Sequence, residues 1–570
     1  MQIAEGQDPL GLNLRVSARL GQQLLYCITS ITYRARYYSF LPWCFQDYHR
    51  RGEVKHDVYS LREAIILREK IFALGCLAYH NGKPCEDGRL IGTNELKPFL
   101  NKYQNKAVPF SRAKYVKNVA LGVYLASLRG LGLFKQPLIN NSPDAEEQDI
   151  LEFDELELSD LGNQLAKAFG GLINNLTVIK DLPRKKSFSK DLLSQLGMRG
   201  GLCEIRKGNP PDRKLLIDIF FNKTKLNSRS HEFRRRTLVM ILTLIEKMKK
   251  AHISFNKDSF NDSIYYDQIE REDGSIQDVG HPSQLGDIVN RWKMFHFHYY
   301  LSFALESLFV STVDKARAAG LQGFNILEAI RELGSKRVAR YLGMILDCEI
   351  NKSFLDMSPQ ELFRYAGFNI EKTDVLASRK IAEKIRINHP LSERSLSNIL
   401  AEESLFFRPE GIAISLILLS VILLRYIKWE ETPYGNWLGQ AVDDPYKDIT
   451  LPVVLHEIKS SFQDFWNTPW RVSAPRIINR FVVRLHEVLA FDKSWTGTKA
   501  FFHTDQDVIR WHNLNYDEPA CGNPRLMNSV QILKDLSLIE NDESHPEILC
   551  LKKDGKLLLE KELSEMQERT

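Results

Sequence analysis

The side chains of this 570-residue chain that could do chemistry gather in a few places. His503, Asp505, Asp507, His512 and Cys521 form a polar run after Phe501-Phe502. Imidazoles and carboxylates are donors for a divalent metal, the chemistry of a metal-dependent nuclease. The run has no fixed motif spacing and reads as a loop. Cys76-x3-His80-x4-Cys85 places three soft donors within ten residues, and His56 would complete a tetrahedral zinc site. Cys76, however, lies in the apolar stretch Ile71 to Leu77, where a small buried thiol is the ordinary state. No metal and no cofactor are therefore expected. Arg291 and His296 stand five apart at the start of a long helical pattern, with bulky Trp292 between them. No Walker A loop is present: Ser494-Trp-Thr-Gly-Thr-Lys499 lacks the first glycine and the hydroxyl residue after Lys. GxGxxG, GxSxG and HExxH are missing as well, so no ATP hydrolysis is expected of the chain itself.

Charge is the second source of chemistry. Lys plus Arg number 77 and Asp plus Glu 72, a net of only +5. That remainder conceals segregation. Asp144 to Asp160 holds nine acids and no Lys or Arg, whereas residues 180–250 hold 19 cations against 7 acids, a net of +12. The dense points are Arg184-Lys185-Lys186, Arg206-Lys207, Arg213-Lys214, Arg234-Arg235-Arg236 and Lys247 to Lys250. A cationic strip of this kind is the electrostatic footprint expected for nucleic acid, DNA rather than RNA being the first expectation. A solvated face, or pairing inside the chain, is the alternative. Arg34 and Arg36 sit among aromatics in Thr32-Tyr-Arg-Ala-Arg-Tyr-Tyr-Ser-Phe40, where guanidinium groups could clamp phosphates and rings stack on bases. The structural alternative packs the rings in a core and pairs the arginines with Glu63 and Glu69. Arg112, Lys114 and Lys117 share one expected helix, and Arg525 opens another, adding candidate groups for phosphate.

Elements must position these groups. Thr93 to Leu100 and Arg112 to Leu128 carry apolar residues at helical spacing. Leu128-Arg-Gly-Leu-Gly-Leu-Phe134 then stops the helix and begins a short strand. After the acidic interval, Leu156-Glu-Leu158-Ser-Asp-Leu-Gly162 returns as a strand before another helix. The order repeats near the C-terminus: a helix over Pro524 to Leu536, a strand from Leu538, a turn at Asn541 to Pro546, a return strand at Ile548 to Leu551, and a closing helix at Lys556 to Met566. Both copies run through "LxxLxL" and return through "LxLxxxG". The expected class is mainly α and multidomain, with two winged helix-turn-helix domains flanking a helical middle. Small β content is expected in the wings and around 200–221, as a strand pair Leu202 to Ile205 with Leu215 to Phe221. The regions are 1–90 helical with the basic-aromatic segment, 90–178 a winged helix with an acidic wing, 180–260 basic and mixed, 280–515 helical, and 516–570 a second winged helix. A wing bearing nine acids would be repelled by phosphate. The first copy is thus expected to meet protein, or to touch DNA only through its helix.

Eight cysteines without a CxxC pair fit a reducing cytosol. The N-terminus lacks the basic and apolar regions of a secretory signal. The most apolar run, Ile412 to Leu424, covers about 20 Å as a helix, short of the roughly 30 Å hydrocarbon core. A soluble cytoplasmic protein with no membrane partner is expected.

The stretch Ile28 to Trp43 resembles the opening of uncharacterised bacterial proteins with a T-x-R-A-R-Y-x-x-F-x-P-W core and a following Arg-Glu helix, here Leu61 to Lys70. The resemblance covers about the first 135 residues, and many such proteins lie in phage-defence neighbourhoods; it implies a prokaryotic source and a defence role. Two winged helices around a helical middle also resemble, in architecture, kleisin subunits of bacterial SMC complexes, which implies a protein linker working with an ATPase. Arg291-x4-His296 is similar to the element of HEPN ribonucleases in which Arg and His act on an RNA 2′-hydroxyl and phosphate, although Trp292 stands where that family has a polar residue. The leading expectation is a non-catalytic nucleic-acid-binding scaffold subunit of an antiviral or anti-plasmid assembly with a separate ATPase or nuclease. The alternatives are a nuclease or toxin effector, and a kleisin-like linker.

Overall fold

The computed structural model describes residues 9–12, 18–51, 60–83, 90–103, 106–116, 119–135, 156–182, 184–224, 226, 229–368, 375–402, 404–429, 457, 459–460, 462–493, 500–505, 508–512, 514, 516–519 and 525–568. Two compact units emerge. The terminal unit comprises 21–257, 283–288 and 525–570; the middle unit comprises 258–282 and 289–524 with the first twenty residues. The regions read separately as 1–90, 90–178, 180–260 and 516–570 therefore largely share one unit.

The chain is mainly helical. Helices of nine or more residues are, in chain order, α1 (Tyr37–Arg50), α2 (Leu61–Tyr79), α3 (Thr93–Asn101), α4 (Ala120–Gly130), α5 (Asp160–Ile173), α6 (Lys190–Gly200), α7 (Pro211–Phe220), α8 (Arg229–Lys250), α9 (Lys257–Tyr265), α10 (Gly286–Ala319), α11 (Lys336–Leu346), α12 (Val375–Lys384), α13 (Glu393–Glu402), α14 (Pro409–Trp429), α15 (Trp470–Ile478), α16 (Leu485–Lys493), α17 (Leu526–Asp535) and α18 (Lys553–Gln567). The described strands pair as three antiparallel hairpins: β1 (Gln268–Glu270) with β2 (Ile276–Asp278), β3 (Phe502–Asp505) with β4 (Val508–Trp511), and β5 (Ile539–Asn541) with β6 (Leu549–Leu551).

In the terminal unit, α2 starts at a capping box, in which Ser60 accepts from the Glu63 N–H and Glu63 accepts from the Ser60 N–H. Its far end meets α6 backbone to backbone: a Cβ on Gly197 would lie 2.2 Å from the Gly75 carbonyl oxygen. The aromatic run of α1 faces inward. Phe40 stacks on Phe72 at 4.1 Å between centroids, and Trp43 meets Phe169 edge-on at 5.8 Å.

The two sequence copies are one backbone device built twice. Gly132 (φ +70°) and Ser537 (φ +60°) are the left-handed residues that end α4 and α17. Leu133 N–H donates to Leu128 O at 3.0 Å, and Gly132 N–H to Arg129 O at 2.8 Å. Leu538 to Leu533 at 3.0 Å and Ser537 to Lys534 at 2.9 Å repeat the pattern, a Schellman stop in each case. The chain then pairs with its return: Phe134 bridges Leu158, as Ile539 pairs Leu551. Ser159 and Lys552, the residues before α5 and α18, donate their N–H groups to Leu133 O and Leu538 O, both at 3.0 Å. Residues 136–155, with the acids from 144 to 155 expected in the first wing, lie outside the described residues.

Several expectations are corrected. The strand pair at 202–221 is a 3-10 turn, Glu204–Arg206, followed by α7. Pro211 sits at its first position, where proline favours a helix start, and Leu216, Ile219 and Phe220 follow helical rather than alternating spacing. The helix expected over Arg112 to Leu128 begins only at Ala120, so Arg112 and Lys114 precede it. The polar run around His503 is a hairpin, not a loop, and Phe324 bridges its second strand at Ile509.

Glu69 explains why α4 starts late. Its carboxylate accepts the N–H groups of Ala120 (2.7 Å) and Leu121 (2.9 Å), two orphan donors of the first turn. Burial pushes this carboxyl up from the usual 4.5 to about 7. Between about pH 4.5 and about pH 7 the folded state thus holds a proton that the unfolded chain has released, so the contribution of Glu69 to unit stability is full below pH 4.5 and is lost as pH rises through 7. The expected loss is about 3 kcal/mol. Glu69→Gln, whose carbonyl still accepts from α4, should flatten that decline in urea unfolding followed by proteolysis of terminal-unit peptides at about pH 5 and about pH 8.

In the middle unit, α14 has 21 residues, not the thirteen of its apolar run, and is long and apolar enough to cross a membrane. Burial decides its role: the apolar window is enclosed by the rest of the unit. Ser415 and Ser420 return their hydroxyls to carbonyls four residues back. Near its end, Arg425 pairs with Glu393 of α13 at 2.9 Å and donates to the carbonyls of Ala382 and Ile385. Tyr265 and Tyr266 hydroxyls, each at 3.0 Å, complete the Glu393 carboxylate. A buried ion pair is tolerable when its remaining donors and acceptors are filled in this way.

Candidate nucleic-acid interface

The sequence-expected cations divide by burial. Arg34 is fully buried, with its Nε 2.9 Å from Asp535 at the end of α17; the neighbouring Ala35 N–H donates to the same carboxylate oxygen at 3.0 Å. Arg206 reaches the other oxygen at 2.8 Å. Arg36 is buried beside Asp212 at 3.3 Å and over the Phe169 ring, and burial lowers its pKa. Neither arginine meets Glu63 or Glu69. The same segment receives the first copy, since the Tyr124 hydroxyl of α4 bonds the Arg34 backbone. Thr32-Tyr-Arg-Ala-Arg-Tyr-Tyr is a clamp on which both helix-hairpin copies dock.

The strongest part of the basic strip is likewise consumed. Arg234 is fully buried and donates to the carbonyls of Ile219 (2.9 Å) and Phe220 (3.0 Å), closing the C-terminus of α7, and to Tyr26 O at 3.2 Å. Arg235 meets Glu562 at 2.5 Å and Glu565 at 3.0 Å of α18; Arg236 is half-buried against Glu232. Arg213 is buried against the carbonyls of Ile205 and Arg206 and the Asn209 side chain. Arg525 is half-buried and donates to Ile28 O at 3.2 Å. These groups hold the unit together and are not presented to a phosphate.

A different set remains in solvent. Val108 and Phe188 form an antiparallel bridge, N–H to O at 2.7 and 3.2 Å, and the Phe110 ring stacks on Phe188 at 5.4 Å. The bridge lays 106–114 beside 184–190, about eighty residues apart in sequence. Exposed Lys106, Arg112 and Lys114 lie on one of the two bridged segments, and exposed Arg184, Lys185 and Lys186 on the other. Asp181 answers Lys185, at 2.6 Å. Lys106 was missed in the sequence because nothing local announces a lone bridge. Lys214 is exposed elsewhere, and Lys207 is exposed but paired to Glu204 at 2.8 Å, which pushes its pKa up to about 12. Lys117 lies outside the described residues.

Arg291 and His296 differ in burial. Both lie on the continuous helix α10, where a five-residue step rotates a side chain by about 140°. His296 is buried among Trp292, Phe295 and Phe260, while Arg291 is half-buried. His298 is also buried, and desolvation pushes it down to about 3. His503 and His512 do meet, Nδ1 to Nε2 at 2.7 Å on the exposed side of the hairpin, but Asp505 turns to Arg510. Asp507 and Cys521 lie outside the described residues, as do Cys85 and His56 of the zinc pattern. Among the described residues no three His, Cys, Asp or Glu side chains gather as metal donors. His80 instead meets Cys203. No protein-family model, curated protein or solved structure matches this chain.

Proposed function

We propose that the chain is a non-catalytic nucleic-acid-binding and scaffolding subunit of a prokaryotic antiviral or anti-plasmid defence assembly, working with a separate ATPase or nuclease. The observation that carries the binding part is the cationic ledge of Lys106, Arg112, Lys114, Arg184, Lys185 and Lys186, exposed on two segments held together by the Val108–Phe188 bridge. Such a cluster, with Asp181 at its edge, suits a phosphate backbone, where neutralisation and counterion release supply most of the affinity. The duplicated helix-hairpin-helix supports the scaffolding part. We read each copy as a winged-helix module, the second with its hairpin salt-bridged to α8 through Lys249 and Asp542 at 3.0 Å. The defence setting rests on the resemblance of Ile28 to Trp43.

The test is charge reversal of Arg184, Lys185 and Lys186 together. Duplex DNA binding at low salt should weaken by about tenfold or more, and the slope of log K against log salt should shrink by about 0.9 for each phosphate no longer neutralised. Unchanged affinity and slope would remove the ledge as the interface. Reversal of Arg234 to Arg236 is uninformative for this purpose, because Arg234 and Arg235 are buried and their reversal would unfold the unit.

A further inference from the structure

The end of α2 carries a cysteine–histidine pair that the binding function does not use. His80 follows the last residue of α2, and its Nε2 lies 2.9 Å from Cys203 Sγ. The glycine packing between α2 and α6 makes this possible: with Gly75 and Gly197 touching through their backbones, the turn after α6 delivers Cys203 to the end of α2. Both residues are half-buried, not enclosed.

We propose that Cys203 and His80 form a thiolate–imidazolium pair, and that Cys203 is a site of covalent modification by hydroperoxides. A protonated imidazole beside sulfur is what lowers the pKa of reactive cysteines. The other charged and titratable groups at this place are Tyr79 and Cys76 on α2, Glu204 and Lys207 beside Cys203, and Arg36 of the segment before α1, which faces both Cys76 and Glu204. Glu204 would oppose a thiolate, but Lys207 neutralises it at 2.8 Å. The reaction balances within the pair and the peroxide. The thiolate attacks the hydroxyl oxygen of the hydroperoxide, the O–O bond breaks, and sulfur is oxidised by two electrons to the sulfenic acid. The departing alkoxide, the reduced product, takes the His80 proton and leaves as the alcohol. Cys348 supplies the internal contrast: half-buried as well, it is held above the usual thiol range by burial and by Asp347.

The test uses the full chain, iodoacetamide in limiting amount, and peptide mass spectrometry between about pH 5.5 and about pH 9.5. An ordinary thiol is about 3% ionised at pH 7, so Cys203 should alkylate roughly tenfold faster than Cys348 there, after allowing for the lower nucleophilicity of a less basic thiolate. His80→Gln should slow Cys203 by about tenfold, to the rate of an ordinary thiol, while leaving the Cys348 rate unchanged. Brief hydrogen peroxide followed by dimedone should mark Cys203 in the wild-type chain and not in His80→Gln. If Cys203 in the wild-type chain reacts no faster than Cys348 at neutral pH, the ion pair is overturned whatever the variant does. If it reacts fast but takes no dimedone after peroxide, the modification site is overturned.

Discussion

Asp535→Ala should destabilise the terminal unit by about 3–5 kcal/mol, because it leaves the buried Arg34 guanidinium, the half-buried Arg206 guanidinium and one buried N–H without their carboxylate. Asp535 is fully buried and is shared by Arg34 (2.9 Å), Arg206 (2.8 Å) and the Ala35 N–H (3.0 Å). Any one of these interactions would be worth little if exposed. What makes the loss large is the cost of unpaired charge in a region without access to solvent. The chain has two units, so a single unfolding curve does not isolate the effect. Hydrogen exchange with mass spectrometry does: protection in α1, α4 and α17 should fall together by about two orders of magnitude or more, while α14 in the middle unit is unchanged. A drop confined to α17 would mean that the Arg-Ala-Arg segment is not the common dock of the two copies.

The second large effect tests the duplication. A methyl on Gly162 would lie 2.0 Å from the Leu133 carbonyl oxygen, and one on Gly555 2.1 Å from the Leu538 carbonyl oxygen. In each copy that oxygen also accepts the N–H of Ser159 or Lys552, so the backbone cannot yield without giving up the bond that joins hairpin to helix. Gly162→Ala and Gly555→Ala should therefore each cost about 3 kcal/mol, at the upper end for overpacking. Gly171→Ala in the same helix as Gly162 is the control. Nothing lies within 4 Å of its Cβ position, and removing a helical glycine there should stabilise by about 0.5–1 kcal/mol. Exchange protection at the Ser159 and Lys552 amides reads both effects. Tolerance at Gly162 and Gly555 equal to that at Gly171 would remove the close contact as a determinant, and tolerance at only one of the two would break the equivalence of the copies.

The paired "LxxLxL … LxLxxxG" pattern was legible because the device it encodes is local. A helix stop, a left-handed residue and a glycine at the third position of the next helix are each specified within a few residues. Helical spacing likewise located the helices around Thr93 to Leu100 and Pro524 to Leu536, and the one ending at Leu128 with its start shifted because a distant side chain intervened. Glu69 sets the start of α4, and no window around Arg112 could reveal it. The 202–221 region failed for a different reason: its short apolar runs fit period two and period 3.6 alike, and Pro211 should have decided for helix.

Charge distribution, too, was available by counting, and it identified a basic strip from 180 to 250 with its dense points. Counting does not distinguish a cation facing solvent from one facing a carboxylate. Arg34 finds its partner 501 residues away and Arg235 finds Glu562 327 residues away, while one backbone bridge joins the segment carrying Lys106 to the segment carrying Lys186. The sequence by itself determined the helical class, the repeated stop-and-return device and the amount of charge in each segment, since these depend on neighbours a few residues apart. Only the tertiary structure decided which arginines are structural and which cations face solvent, and only it brought Cys203 to His80. Those outcomes are set by desolvation and by the packing of segments that no local rule connects.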